Sequence, residues 1–159
     1  MRQRIGMTLL ALFVLTLTVY AQYGQPPAKK NPVMGAWKVT EVTNPNQPTI
    51  TNPQPGLYVF TESHYSAVRI QGTKPLPAYA SNDVATDADK VAVFNALYMN
   101  TGAYRITGSN TLTTMPQVAK SAFAFAPGRT TDYEFTISGN TLTLAQKPNG
   151  PVVKFVRVE

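Results

Sequence analysis

The sequence is poor in the residues that carry most enzyme and metal chemistry. Its 159 residues include no cysteine, one histidine and eight acidic residues. The absence of cysteine excludes a disulfide framework, a thiolate metal site and the modified cysteine that anchors bacterial lipoproteins. The single histidine, His64, stands in a polar stretch without the orienting partner that a catalytic imidazole needs. We therefore expect it to be exposed.

Charged residues are spread thinly along the chain. Asp83, Asp87 and Asp89 form the one acidic cluster, and a predicted helix start explains them without a metal ion. The 14 basic residues are scattered, which argues against a nucleic-acid-binding face. The sequence contains no nucleophile motif, phosphate loop or dinucleotide-binding motif. It therefore predicts a protein that is not an enzyme, uses no metal or cofactor and binds no nucleic acid.

The N-terminus has the pattern of an export signal. Arg2 and Arg4 precede an apolar run over residues 5–19, and a V-x-A sequence ends at Ala21. This order is typical of a secretory signal peptide over residues 1–21. A membrane anchor is the alternative, but a spanning helix needs roughly 20 apolar residues. The sequence predicts an exported protein, periplasmic or secreted, without stable membrane insertion after cleavage. Loss of Arg2 and Arg4 lowers the net charge from +6 to +4.

The rest of the chain is predicted to form one domain after a short lead-in. Residues 22–33 are rich in proline, glutamine and lysine and predict a flexible lead-in. Removal of residues 1–21 leaves 138 of the 159 residues, enough for one domain that buries about two thirds of its unfolded surface. Alternating polar and apolar residues predict a first strand at residues 35–42. Four prolines in residues 44–56 exclude a regular element and predict a long loop, of a kind that is often functional.

A hairpin and a helix are predicted next. Two β-rich runs flank residues 62–64 and indicate a hairpin over residues 57–70. Thr86 or Asp87 can cap a helix over residues 87–99. An apolar face of that helix is indicated by Val91, Phe94, Leu97 and Tyr98, which fall on one side at helical spacing.

Two nearly identical phrases follow the helix. They are YRITGSNTLT at residues 104–113 and YEFTISGNTLTL at residues 133–144. In each segment, alternating polar and apolar residues are followed by a turn of Gly, Ser and Asn and then by Thr-Leu-Thr. This pattern predicts two β-hairpins, the first with its turn at residues 108–110 and the second with its turn at residues 138–140. The phrases differ by one residue in spacing, whereas a shared catalytic motif would keep its spacing. The pattern predicts an all-β chain of about eight strands, closed as a single antiparallel up-and-down β-barrel with one inserted helix near residues 87–99.

The ends of the domain carry two short motifs. It begins with G-x-W, at Gly35 and Trp37, and it ends with the sequence F-V-R, whose arginine is Arg157. These motifs, with the loop, hairpin and helical insert between them, resemble the bacterial lipocalin-like domains of the calycin group over residues 34–159. The resemblance implies a small β-barrel whose cavity takes apolar small molecules. It also implies that Trp37 closes one end of the barrel and that Arg157 packs across it. The first hairpin departs from the pattern because residues 62–64 contain no glycine.

Aromatic residues and one arginine are the candidate ligand-binding residues. They are Tyr58, Phe60, Tyr65, Arg69, Phe94, Tyr98, Tyr104, Tyr133 and Phe135. Aromatic side chains in a barrel either fill the core or line a cavity, and both interpretations stay open because the pattern does not say which face points inward. Arg69 interrupts a run of small and apolar residues. It lies either at the mouth, to meet an acidic headgroup, or outside as a solvated arginine.

Three functions are compatible with such a barrel. The first is binding of a small apolar or amphipathic molecule inside it, with residues 44–56, residues 71–86 and the helix around the opening. The second is a structural or interaction module of the cell envelope with a filled barrel. The third and weakest is a cofactor-free enzyme such as an isomerase, because a fold alone does not decide chemistry. A cavity of roughly a few hundred Å3 favours the first function, and a packed axis favours the second.

Overall fold

Eight strands follow one another around the sheet in chain order, each antiparallel to the next. The structure, a computed structural model, describes residues 31–159 except for the side chains of Asn82 and Phe125. The strands are Gly35–Thr43 (β1), Gly56–Phe60 (β2), His64–Ile70 (β3), Leu97–Ile106 (β4), Thr111–Ala119 (β5), Thr131–Ser138 (β6), Thr141–Gln146 (β7) and Val152–Arg157 (β8). β1 also pairs with β8, and this pairing closes the sheet. The predicted eight-stranded up-and-down barrel is therefore confirmed, as is the architecture that the lipocalin-like resemblance implied.

The predictions for the N-terminus fall largely outside the described residues. These are the signal peptide at residues 1–21 and residues 22–30 of the lead-in. Val33, which the sequence placed at the end of the lead-in, is fully buried. Within residues 31–159, no helix combines the length and the apolar character that crossing a bilayer requires.

Both repeated sequence segments, residues 104–113 and 133–144, form β-hairpins. The first joins β4 to β5 through residues 107–110, and the second joins β6 to β7 through Gly139 and Asn140. Gly139 has a φ of +56°, a left-handed conformation that glycine adopts without steric cost. The two segments thus have the same strand–turn–strand arrangement. Their turns differ in length, with four residues in the first and two in the second.

The one α-helix of the described residues, Asp87–Ala96 (α1), lies between β3 and β4. Its start follows the sequence. The Asp89 N–H donates to the Thr86 hydroxyl at 3.2 Å, and the Thr86 N–H donates back to the Asp89 carboxylate at 3.1 Å. Its predicted end at residue 99 was wrong. Leu97 and Tyr98 pair with β3 instead, and these sheet hydrogen bonds replace a further helical turn.

The predicted apolar face of α1 was also wrong. Because Leu97 and Tyr98 belong to β4, they do not share a helical face with Val91 and Phe94. No residue of α1 is buried, and Val91 and Phe94 are both more than half exposed. The helical spacing of these four residues in the sequence is a coincidence, because two of them lie in α1 and two lie in β4.

Side chains fill the interior of the barrel. In β2, Tyr58 and Phe60 point inward, while Leu57 and Val59 are exposed. The rings of Phe60 and Tyr104 meet edge to face, with their centroids 5.2 Å apart. The largest fully buried side chains are Trp37, Phe155, Leu112, Leu142, Val33 and Val42. An eight-stranded barrel is just wide enough for its side chains to fill it, and this one has a packed axis.

The two ends of the barrel are built differently. At one end, called here the closed end, turns of two to four residues join the strands, at residues 61–63, 107–110 and 139–140. The other end, called the mouth, carries the longer connections, which are residues 44–55, 71–96, 120–130 and 147–151. Long connections leave space between them that tight turns do not.

Candidate ligand-binding site

Trp37 and Arg157 occupy the closed end. Trp37 is fully buried, and its indole Nε1 donates a hydrogen bond of 2.8 Å to the Val33 carbonyl. The guanidinium carbon of Arg157 lies 4.0 Å from the centroid of the Trp37 ring. Arg157 also donates to the backbone carbonyls of Met34 and Pro32. The segment before β1 is thereby fastened across this end of the barrel.

A small cavity of about 50 Å3 lies at the mouth. Its walls come from six strands and from the connection before β8. They are Tyr58, Arg69, Tyr98, Tyr133, Leu144, Gln146, Pro151, Val153 and Phe155. None of these nine residues carries a carboxylate. The cavity therefore combines an apolar floor with phenol, amide and guanidinium groups, and its one formal charge is positive.

Arg69 is the charged residue of this cavity. It points inward from β3, where the preceding inward residues are Tyr65 and Ala67, so the solvated alternative was wrong. Its guanidinium carbon lies 5.3 Å from the centroid of the Tyr98 ring. Its Nε is buried and has no hydrogen-bond partner among the described residues. A buried donor without a partner costs about 1–3 kcal/mol, and more when the group is charged.

Three tyrosines surround this arginine. The rings of Tyr58 and Tyr98 are stacked, with centroids 6.5 Å apart and planes 8° apart. Burial raises the pKa of Tyr58 above its usual value of 10.0, and repulsion from Tyr98 adds to this, while Arg69 partly opposes it. Burial likewise raises the pKa of Tyr133, which hydrogen-bonds to Tyr98. The Tyr58 hydroxyl therefore stays protonated at neutral pH and can donate to an acceptor beside Arg69, whereas the Tyr133 hydroxyl is engaged with Tyr98.

Four of the predicted site residues fill the core instead of lining the cavity. They are Phe60, Tyr65, Tyr104 and Phe135, all buried. The Tyr65 hydroxyl donates to the Asn100 side chain at 2.5 Å, and the Tyr104 hydroxyl donates to the Thr61 carbonyl at 2.6 Å. Burial raises the pKa of Tyr65 as well. Since the polar tips of Tyr65 and Tyr104 already have protein partners, these residues stabilise the barrel.

Phe94 lies apart from the other predicted site residues. It is 55% exposed on α1, and the Lys120 ammonium lies 5.2 Å from its ring centroid. The structure thus gathers Tyr58, Arg69, Tyr98 and Tyr133 at the mouth, and it leaves Phe94 outside.

Gln146 is a cavity residue that the sequence prediction missed. It is the last residue of β7, where the alternating pattern places it on the same face as Leu142 and Leu144. Both leucines are buried, so Gln146 also points inward. This alternation in TLTLAQ was the signal that could have identified it.

A second and larger space, called here the outer groove, adjoins the cavity. Its volume is about 900 Å3. It is lined by Lys38, Val39, Thr40, Thr51, Asn52, Pro53, Pro55, Gly56, Leu57, Val68, Arg69, Ile70, Leu97 and Val158. β1 and β2 pair only as far as Lys38 and Leu57, and the groove opens where they part. Arg69 lines both the outer groove and the cavity.

Metal ligands are not brought together in the part of the chain that the structure describes. Within residues 31–159, no group of three or more His, Asp or Glu side chains lies close enough to hold an ion. His64 is exposed, and its Nδ1 lies 3.0 Å from the Ser63 hydroxyl.

The sequence matches no protein-family model and no curated protein. Two solved structures are similar to this chain. One is a lipocalin-like protein from Bacteroides uniformis ATCC 8492, at 12% identity and a TM-score of 0.48, over 80% of this chain and 99% of that chain. The other is an uncharacterized protein from Bacteroides eggerthii DSM 20697, at 10% identity and a TM-score of 0.45, over 78% of this chain and 98% of that chain. Both likenesses are distant, and they assign no ligand to this chain.

Proposed function

We propose that this protein binds a small amphipathic acid, whose anionic headgroup enters the mouth of the barrel and pairs with Arg69. One observation carries the proposal. The Arg69 Nε is buried without a hydrogen-bond partner among the described residues, in a cavity whose lining residues include no carboxylate. A half-buried guanidinium with one unsatisfied buried donor is stabilised when an anion pairs with it and accepts from that donor. The geometry of a carboxylate matches the guanidinium fork.

The size of the cavity limits what enters it. Sites for small molecules usually enclose roughly 300–1,000 Å3. The cavity at the mouth, at about 50 Å3, has room for a headgroup but not for a whole ligand. The Tyr58 hydroxyl accepts from Arg69, so its own proton can serve as a further donor to that headgroup.

In this proposal the bound molecule is held and not converted. Residues that could activate a nucleophile or move a proton near neutral pH are not among the nine that line the cavity. The protein acts after export, in the periplasm or outside the cell, once the signal peptide over residues 1–21 is removed. Intact-mass measurement of protein recovered from its host would show a chain that begins at Gln22. A chain that retains Met1 would contradict export by cleavage.

Calorimetric titration with hexanoate, hexanamide and hexanol tests the proposal. We expect binding of hexanoate and at least tenfold weaker binding of the two uncharged analogues. The reason is that a hydrogen bond to a charged group contributes about 1.5–3 kcal/mol to the free energy of binding. Arg69→Met should lose hexanoate binding by about 10- to 100-fold. Arg105→Met, an exposed arginine of β4, is the matched control and should bind like the wild type. Equal binding of hexanoate and hexanamide, or unchanged binding by Arg69→Met, would overturn the proposal.

A second candidate function is a structural or interaction module of the cell envelope. The packed axis of the barrel favours it, because a filled interior leaves only the surface for function. Residues 44–55 are the candidate contact. In-cell cross-linking of the wild type and of a variant with this loop shortened tests it. A cross-linked partner that disappears with the loop supports the module, and identical cross-linking patterns count against it.

A further inference from the structure

We infer that the apolar part of the bound acid lies outside the barrel, in the outer groove, so that the ligand is a long-chain rather than a short-chain acid. This inference rests on the proposed function. It differs from binding inside the barrel because the interior has no space for a chain. Phe155, which forms part of the cavity floor, is fully buried, and its ring centroid lies 4.8 Å from that of Tyr58.

Arg69 connects the two spaces. It borders the cavity of about 50 Å3 and the outer groove of about 900 Å3. The larger volume lies within the roughly 300–1,000 Å3 of typical small-molecule sites. A headgroup paired with Arg69 therefore has one adjoining space large enough for the rest of the molecule, and that space is the outer groove.

The lining of the outer groove fits an apolar chain that ends in an anion. Its apolar side chains include Val39, Leu57, Val68, Ile70 and Leu97. Leu57 and Val68 are cross-strand neighbours and are 46% and 40% exposed, so a chain lying on them removes apolar surface from water. The charged side chains in its lining are Lys38 and Arg69, both positive. These two positive charges would repel a cationic ligand.

Hydrogen bonds hold the wall of the groove in place. Ile50 and Val42 exchange two backbone hydrogen bonds, of 2.8 and 3.0 Å. The Ile70 N–H donates to the Pro55 carbonyl at 2.9 Å, and the Gln54 side chain donates to the Thr73 carbonyl at 3.1 Å. The loop over residues 44–55 is thus tied to the sheet in its middle, at Ile50, and at its end, at Pro55. A wall that is ordered before binding reduces the entropy lost when a ligand binds.

A chain-length series tests the inference. Hexanoate, octanoate, decanoate and dodecanoate are titrated calorimetrically below their micellar concentrations. We expect the affinity of the wild type to rise roughly two- to fourfold with each buried methylene. Leu57→Ser and Val68→Ser should flatten this rise, so that their loss of affinity relative to the wild type grows from hexanoate to dodecanoate. Val118→Ser, an exposed valine of β5 outside the groove, is the matched control and should keep the full rise.

The outcomes separate this inference from the proposed function. If hexanoate does not bind, or binds equally to Arg69→Met, the proposed function fails. If hexanoate binding depends on Arg69 but affinity stays flat from hexanoate to dodecanoate, the outer groove holds no chain and this inference alone fails. It also fails if Leu57→Ser and Val68→Ser keep the full rise. Thermal unfolding of each variant checks that it folds, which is expected because both groove positions are well exposed.

Discussion

Arg157, on the last strand of the barrel, lies over the indole ring of Trp37, on the first strand, and the two residues are direct partners in the β1–β8 pairing. The contact joins the two edges of the sheet at the point where the barrel closes. Arg157 adds hydrogen bonds to the carbonyls of Met34, Pro32 and Glu159. One side chain thus links the closing strands to both chain segments at this end.

Removal of Arg157 should therefore destabilise the barrel. Arg157→Ala loses the cation–π contact and the bonds to backbone carbonyls, and we expect the free energy of unfolding to fall by about 2–3 kcal/mol. Arg157→Lys keeps the charge but not the planar fork, and should fall between the wild type and the alanine variant. Urea denaturation measures both, with Arg105→Ala as the exposed control. A loss no larger than that of the control would show that the contact contributes nothing.

Arg69→Met should behave in the opposite way. It removes a half-buried charge whose buried Nε has no partner among the described residues, so we expect a free energy of unfolding that is unchanged within about 1 kcal/mol or higher. The same variant should lose acid binding, so that stability and binding move independently. Denaturation in urea without ligand gives the stability. A loss of more than 2 kcal/mol would mean that Arg69 stabilises the fold through its contacts with the tyrosines.

Gly56→Ala should destabilise the mouth. A Cβ at this position would lie 2.6 Å from the Arg69 Cβ and 2.8 Å from the Val39 Cγ2, both too close. We expect a loss of about 1–3 kcal/mol from overpacking, measured by urea denaturation. Gly108→Ala is the control, because its Cβ would meet only Thr111, at an ordinary 3.6 Å. Equal stability of the two variants would contradict the close approach.

The stability of the barrel should fall at alkaline pH. The pKa values of Tyr58 and Tyr133 are raised in the folded state by burial, above the usual 10.0. Above about pH 10 the unfolded chain loses these protons first, so the free energy of unfolding decreases as pH rises. Urea denaturation between pH 8 and 11 tests this, and Tyr133→Phe should weaken the decrease. A free energy of unfolding that is flat across this range would show that the phenols ionise equally in both states.

The start of α1 should loosen at acidic pH. Hydrogen bonds from the side chain and backbone of Thr86 lower the pKa of Asp89 below its usual 3.8. The capping contribution is therefore present above that value and is lost as pH falls further. Amide hydrogen exchange of α1, followed below pH 4, should speed up relative to the strands. Asp89→Asn should exchange faster at neutral pH, and unchanged exchange would show that the capping box does not hold the helix.

The sequence predicted local structure well where neighbouring residues alone determine a turn or a helix cap. The repeated phrases became hairpins, and Thr86 and Asp89 capped the helix, because turns and caps depend on neighbouring residues alone. The end of α1 was mispredicted because Leu97 and Tyr98 pair with a strand far away in the sequence. Helical spacing contains no information about that partner.

The candidate site was likewise predicted only in part from the sequence. Residue types alone marked Arg69 and the tyrosines as candidates for binding. The tertiary structure decided which of them face one another, because eight strands had to pair before the inward faces and the mouth existed. Tyr65 and Tyr104 lie in the core, and Phe94 lies at the surface. Arg69 lies at the mouth with Tyr58, Tyr98 and Tyr133. Composition and alternation determined that a barrel forms, and the packing of its side chains decided that the interior is full and that the open space lies beside Arg69.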